Sequence, residues 1–170
     1  MDTLTAPAPR PRMAEAIQQQ GRSECVLATL ATLGGKAIDD VRRVAMTEAQ
    51  RHQPNAKTWA DTLNLRDRGK YAYLRGVRVA AVFCGVSPEL VSFSAVDGQG
   101  VRVLSRYLRT LPSTGRGVVR IGRSRTRRGH IMPFEDGLCY DPANPDKGRT
   151  LREIRALYRG YMVNYIHQEA

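Results

Sequence analysis

Residues 23–35, SECVLATLATLGG, place the strongest constraint on the fold. Val26, Leu27, Leu30, Ala31 and Leu33 recur at helical spacing, and the residues between them are mostly small, so the segment has almost no polar face. A helix that is apolar on nearly every side has to be wrapped by the rest of its chain. The pattern predicts a start at Ser23 as N-cap and a stop at Gly34-Gly35. Of the 170 residues 42% are hydrophobic, enough to build a core around such a helix and unlike a disordered composition.

The remaining signals arrange themselves around it. Residues 1–12 are rich in Pro and Arg and read as an extended arm, leaving 13–170 as a single domain. A second helix is expected from about Ala37 to Arg51, with Ile38, Val41, Val44 and Ala45 as its stripe and Asp39-Asp40 in the first turn. TWADTLNL suggests a short helix, whereas YLRGVRVAAVFCGVSPELVSF mixes β-branched runs with glycines and gets no assignment. VRVLSRYLRTL has helical spacing up to Pro112. GVVRIG, HIMPF and LCYD suit strands, the last two joined across EDG, and a short helix at Leu151–Leu157 precedes a final strand, YMVNYI. Helices followed by antiparallel strands make an α+β fold, a helical N-terminal part packed on a C-terminal antiparallel sheet.

Several function classes drop out. No stretch approaches the roughly 20 consecutive apolar residues of a membrane-spanning helix, and MDTLTAPAPRPR has no apolar core of a secretory signal. Cys25, Cys84 and Cys139 are an odd number without paired spacing, which fits a reducing compartment and a cytoplasmic location. No CxxC or HxxxH pair suggests a metal, and no glycine-rich phosphate loop suggests a nucleotide, so no cofactor is expected.

Four residues suggest chemistry. Cys25 falls at the start of the apolar helix, where unpaired N–H groups and the helix dipole stabilise a thiolate. Taken alone, it reads first as a buried structural cysteine. Gln19, six residues upstream in QQQGRSEC, can point an amide at the same space and donate to an oxyanion, although Gln18 or Gln20 could do so instead. His130 opens a strand in RGHIMPFEDGLCYDP and can serve as a base, and Asp141 ends the partner strand and can orient it. A two-residue turn at Glu135-Asp136 or Asp136-Gly137 puts His130 and Asp141 on one face; a three-residue turn with a bulge puts them on opposite faces unless the bulge restores the alternation. Each also has a plainer reading, His130 as a strand-edge residue and Asp141 as a turn former before Pro142.

Together, Gln, then Cys at a helix start, a distant His on a strand and Asp-Pro after a short hairpin resemble the papain-like cysteine peptidase superfamily. QQGRSECVLATL is most similar to the peptidases that remove double-glycine leaders from bacteriocins, and GHIMPFEDGLCYDP resembles their His and Asp strands. The resemblance implies Cys25 as nucleophile, His130 as general base and acid, Asp141 as its orienting partner and Gln19 as oxyanion donor, acting on a peptide or protein substrate. The chain departs from that family in Val26, where a Gly commonly follows the Cys, and in having no transporter part, which suits a free-standing relative of phage or bacterial origin.

The charge gives a second lead. There are 27 Lys and Arg against 16 Asp and Glu, a net +11, and arginine dominates. GRGVVRIGRSRTRRG carries Arg116, Arg120, Arg123, Arg125, Arg127 and Arg128 without an acid and runs into His130. Arg123, Arg125, Arg127 and Arg128 are candidates for binding an acidic substrate or another anion beside the site. The same cluster leaves open a nucleic-acid or virion partner, or a solvated strand edge. A catalytically silent papain-like module acting as a structural or assembly component, for instance of a phage virion, or an arginine-rich nucleic-acid binder, therefore stand as alternatives to the hydrolase. Cys84 reads as core, Cys139 as a buried small residue or a pocket-lining one, Trp59 as a core anchor or a hydrophobic lid, and His52 and His167 as surface residues with no partner that the sequence names.

Overall fold

The computed structural model describes residues 16–18, 21, 23–63, 68–91, 110–122 and 129–169. Among them are helices α1 (Cys25–Gly34), α2 (Ile38–His52), α3 (Arg68–Phe83) and α4 (Leu151–Leu157). Strands β1 (Arg116–Gly122), β2 (Gly129–Glu135), β3 (Leu138–Cys139) and β4 (Met162–Gln168) form one antiparallel sheet in the order β3-β2-β1-β4. The class is α+β, as expected, with helices first and the sheet second. The arm at 1–12 and most of the helix expected at 101–111 lie outside the described residues.

α1 is wrapped as its sequence requires. Val26, Leu27, Ala28, Leu30 and Ala31 are wholly buried between α2, α3 and the sheet. Its last residue, Gly34, sits so close to Cys84 that a Cβ there would lie 2.6 Å from the Cys84 Cβ. Gly35 then turns the chain at φ +60°, a left-handed conformation that favours glycine, and the Lys36 N–H closes the helix on the Ala31 carbonyl. The N-cap is Glu24 rather than Ser23, and its side chain makes no cap bond. Its carboxylate instead meets the Arg42 guanidinium of α2 with two bonds, at 2.6 and 3.1 Å, which anchors the chain just before Cys25.

The unassigned segment YLRGVRVAAVF is α3. Ala45 and Ala49 of α2 face Ala72, Gly76 and Ala80 of α3 across a seam of small residues, and a Cβ on Gly76 would meet the Ala45 carbonyl at 2.7 Å. Close helix contact outweighs the β-branched character of the segment. Trp59 is core, packed on Tyr73 with ring centroids 4.9 Å apart.

The sheet is covered on both faces. Val118, Ile131 and Tyr165 join the α1 side, whereas Val119, Ile121, Met132, Phe134 and Val163 pack with Leu151 and Ile154 of α4 on the other. Two-sided burial accounts for the apolar runs in GVVRIG and HIMPF, which lack the alternation of a half-exposed strand. α4 begins with a reciprocal capping box between Thr150 and Glu153. His167 departs from its surface expectation: its Nδ1 lies 3.2 Å from the Leu90 carbonyl and its ring stacks on Tyr165.

Candidate active site

The β2–β3 hairpin decides whether His130 and Asp141 can meet. Its turn is the two-residue Asp136-Gly137 form, with φ +48° and +84°, the double positive-φ geometry that matches strand twist. Phe134 therefore pairs with Cys139, the Tyr140 N–H reaches the Pro133 carbonyl, and Asp141 falls on the same face as Met132 and His130. The result is a 2.7 Å bond between His130 Nε2 and Asp141 Oδ1.

Asp141 is only 2% exposed and its carboxylate has further partners: the Ala143 N–H donates to Oδ1 at 2.9 Å, and the Tyr158 hydroxyl donates to Oδ2 at 2.7 Å. Burial alone would raise its pKa, but the bonds from His130 and Tyr158 and the charge of His130 hold it below the ordinary aspartate value. Tyr158, just past α4, also stacks on the His130 ring with centroids 5.2 Å apart and planes 29° apart. Its ring and hydroxyl thus restrain both partners. Sequence reasoning missed Tyr158, because YRGY carries no signal beyond a helix end.

Cys25 completes the group. Thr29, one turn along α1, donates to the Ile131 carbonyl at 3.2 Å, pinning the helix beside the first residues of β2. This brings the Cys25 thiol beside the imidazole, close enough to act on its protonation. Nε2 is engaged by Asp141, which leaves Nδ1 as the ring nitrogen for Cys25. Burial disfavours the protonated ring, yet the hydrogen bonds to Asp141 and Cys25, with their charges, raise His130 to about 9. Cys25 is partly exposed, whereas Val26 turns wholly into the core, so the branched residue after the cysteine is absorbed by packing.

The other two thiols have different surroundings. Burial pushes Cys84 up to about 11 and, together with Asp141, Cys139 up to about 12. The sequence-predicted Cys25, His130 and Asp141 are therefore brought together. Gln19, Arg123, Arg125, Arg127 and Arg128 lie outside the described residues. A cavity of about 410 Å³, lined in part by Leu111, Asp136, Gly137 and Thr150, opens at the turn end of the hairpin, roughly 20 Å of strand from His130. Among the described residues, no helix is long and apolar enough to cross a membrane, and no cluster of three or more His, Cys, Asp or Glu could hold a metal ion.

A partly exposed thiol at a helix start, an imidazole and a buried carboxylate in series can carry out nucleophilic acyl transfer. The helix start adds first-turn N–H groups that have no intrahelical acceptor. No family model, curated protein or solved structure matches the chain.

Proposed function

We propose that the chain is a papain-like cysteine hydrolase, most simply a peptidase that cleaves a peptide or isopeptide bond. The observation that carries this reading is the His130 ring held between Cys25 and Asp141, with Nε2 committed to the carboxylate. In the proposed reaction, Cys25 Sγ attacks the carbonyl carbon and His130 passes a proton to the leaving nitrogen, giving an acyl-thioester. His130 then takes a proton from water, the water attacks the thioester, and the thiol is regenerated. Asp141 stays ionised and fixes the ring. First-turn amides of α1 and the Gln19 side chain are the proposed oxyanion donors. A reducing compartment such as the cytoplasm would keep Cys25 a free thiol.

Alkylation with iodoacetamide near neutral pH, followed by mass spectrometry, tests the site. Cys25 should be labelled well ahead of Cys84 and Cys139, and His130→Ala should abolish the preference. Equal labelling of the three would overturn the reading and favour a silent module. New peptide termini released from a peptide library, absent with Cys25→Ala, would establish the bond class.

A further inference from the structure

Glu24 is an acid in a place that works against a thiolate. It is 8% exposed, it directly precedes Cys25, and it is the N-cap of α1, the positive end of the helix, which attracts a carboxylate. A carboxylate folded back onto that end would oppose ionisation of Cys25 and compete with a reacting carbonyl oxygen for the first-turn N–H groups. The Glu24 side chain makes no cap bond and turns towards α2 instead.

Arg42 of α2 is what turns it. Its Nε donates to Glu24 Oε1 at 2.6 Å and its Nη2 to Oε2 at 3.1 Å, a two-pronged contact that fixes both carboxylate oxygens. Both side chains are largely buried, so solvent screens the pair weakly. Asp39, one turn earlier on α2 and mostly exposed, braces the guanidinium from behind. On the other flank the Gly21 carbonyl accepts the Glu24 N–H at 3.2 Å, and a Cβ on Gly21 would stand 3.5 Å from the Glu24 carboxyl carbon. The carboxylate is thus clamped between the turn before Cys25 and α2.

We infer that Arg42 is a positioning residue for the proposed reaction: it offsets the Glu24 charge beside Cys25 and keeps that carboxylate away from the first turn of α1. This rests on the cysteine-hydrolase reading and adds to it a residue from a helix that carries none of the reacting groups. The other titratable groups that feel the Cys25 charge are His130 on β2, Tyr73 on α3, Tyr158 after α4 and Tyr165 on β4, with Asp141 bonded to His130 and Arg120 on β1 near the tyrosines of α3 and β4. Substitutions at Arg42 and Glu24 leave all of these in place.

The test is the pH profile of Cys25 alkylation by iodoacetamide in the full chain, read by mass spectrometry. In Arg42→Gln the acid limb should move up by about half a pH unit, so that labelling on that limb falls about three-fold, the scale of one charge felt at a neighbouring residue. Glu24→Gln should move the limb the opposite way, because the guanidinium then acts near the thiol without that carboxylate. Adding Glu24→Gln to Arg42→Gln should reverse the upward shift. Arg43→Gln, which loses an exposed pair with Asp40 on the same helix, should leave the profile unchanged. A contact that only held the turn in place would slow both single variants at every pH without moving the limb, and the double variant would be no faster; that result overturns the proposal. An unmoved limb in Glu24→Gln and in folded Arg42→Gln overturns it too. In both cases labelling that still depends on His130 spares the hydrolase reading. If Arg42→Gln does not fold, the downward shift in Glu24→Gln decides alone. Labelling of the parent protein that does not depend on His130 overturns both.

Discussion

The Thr29 hydroxyl donates to the Ile131 carbonyl at 3.2 Å, joining the helix that carries Cys25 to the strand residue next to His130. Both residues are almost wholly buried. This bond sets the register of α1 against β2, and hence of Cys25 against the imidazole. Thr29→Val keeps the shape and deletes the donor, which should cost about 1 kcal/mol, read by urea unfolding. Cys25 alkylation should slow by more than that loss of stability explains, because under native conditions the population of unfolded chain stays negligible.

Tyr158 touches both His130 and Asp141, by its ring and by its hydroxyl. Tyr158→Phe preserves the stack and removes one of the bonds that keep Asp141 ionised. The acid limb of the pH profile for Cys25 labelling should therefore move to higher pH, with a modest loss of rate at neutrality. Tyr158→Ala removes the stack as well, and the loss should be larger. Identical profiles for parent and Tyr158→Phe would show that the hydroxyl plays no part in holding the carboxylate.

The sequence disclosed those features that depend on local pattern. Periodicity located α1, α2, α4 and the four strands within a residue or two, and the EDG segment restricted the hairpin to a few registers. It could not choose between them, because the choice depended on Asp136 adopting positive φ, a preference that Asp tolerates without announcing. α3 was hidden because Val77, Val79 and Val82 look strand-like until the seam of alanines and glycine is seen against α2. Cys25, His130 and Asp141 were legible from chemistry and spacing. Tyr158 joins the site only through tertiary packing, from the chain just after α4. His167 looked like a surface residue for the same reason, since its partners are a distant carbonyl and a neighbour on its own strand.

Linkage gives a stability test of the His130–Asp141 pair. His130 is raised from 6.5 to about 9 in the folded protein. A group whose folded pKa lies above its unfolded value stabilises fully below the unfolded value, and that stabilisation is lost as pH rises through the folded one. Unfolding free energy should thus decline between pH 6.5 and about 9, with a slope approaching roughly 1.4 kcal/mol per pH unit for one proton. Asp141→Asn removes the charge and the bond that hold the imidazolium, so the decline should flatten. Asp141, lowered on folding, acts in the opposite sense: its contribution is present above its ordinary aspartate value and is lost as pH falls through the depressed one.

The two glycines that end α1 should respond differently to alanine. At Gly34 a methyl group would meet the Cys84 Cβ and its carbonyl oxygen, each at 2.6 Å, and backbone on both sides leaves no flexible side-chain end to yield. Overpacking of this kind costs about 1–3 kcal/mol and is relieved by shifting the helix. At Gly35 nothing lies within 4 Å, so alanine meets only the strain of φ +60°, about 1 kcal/mol. Thermal unfolding should rank Gly34→Ala as the more damaging of the two. Because α1 carries Cys25 at its other end, any shift that relieves the clash also moves the thiol relative to His130. Gly34→Ala should therefore slow Cys25 alkylation in the folded protein, whereas Gly35→Ala, whose strain is confined to the turn, should leave the rate unchanged. Equal rates in both variants would mean that α1 absorbs the clash at its C-terminal end, and that the Thr29–Ile131 bond alone fixes Cys25.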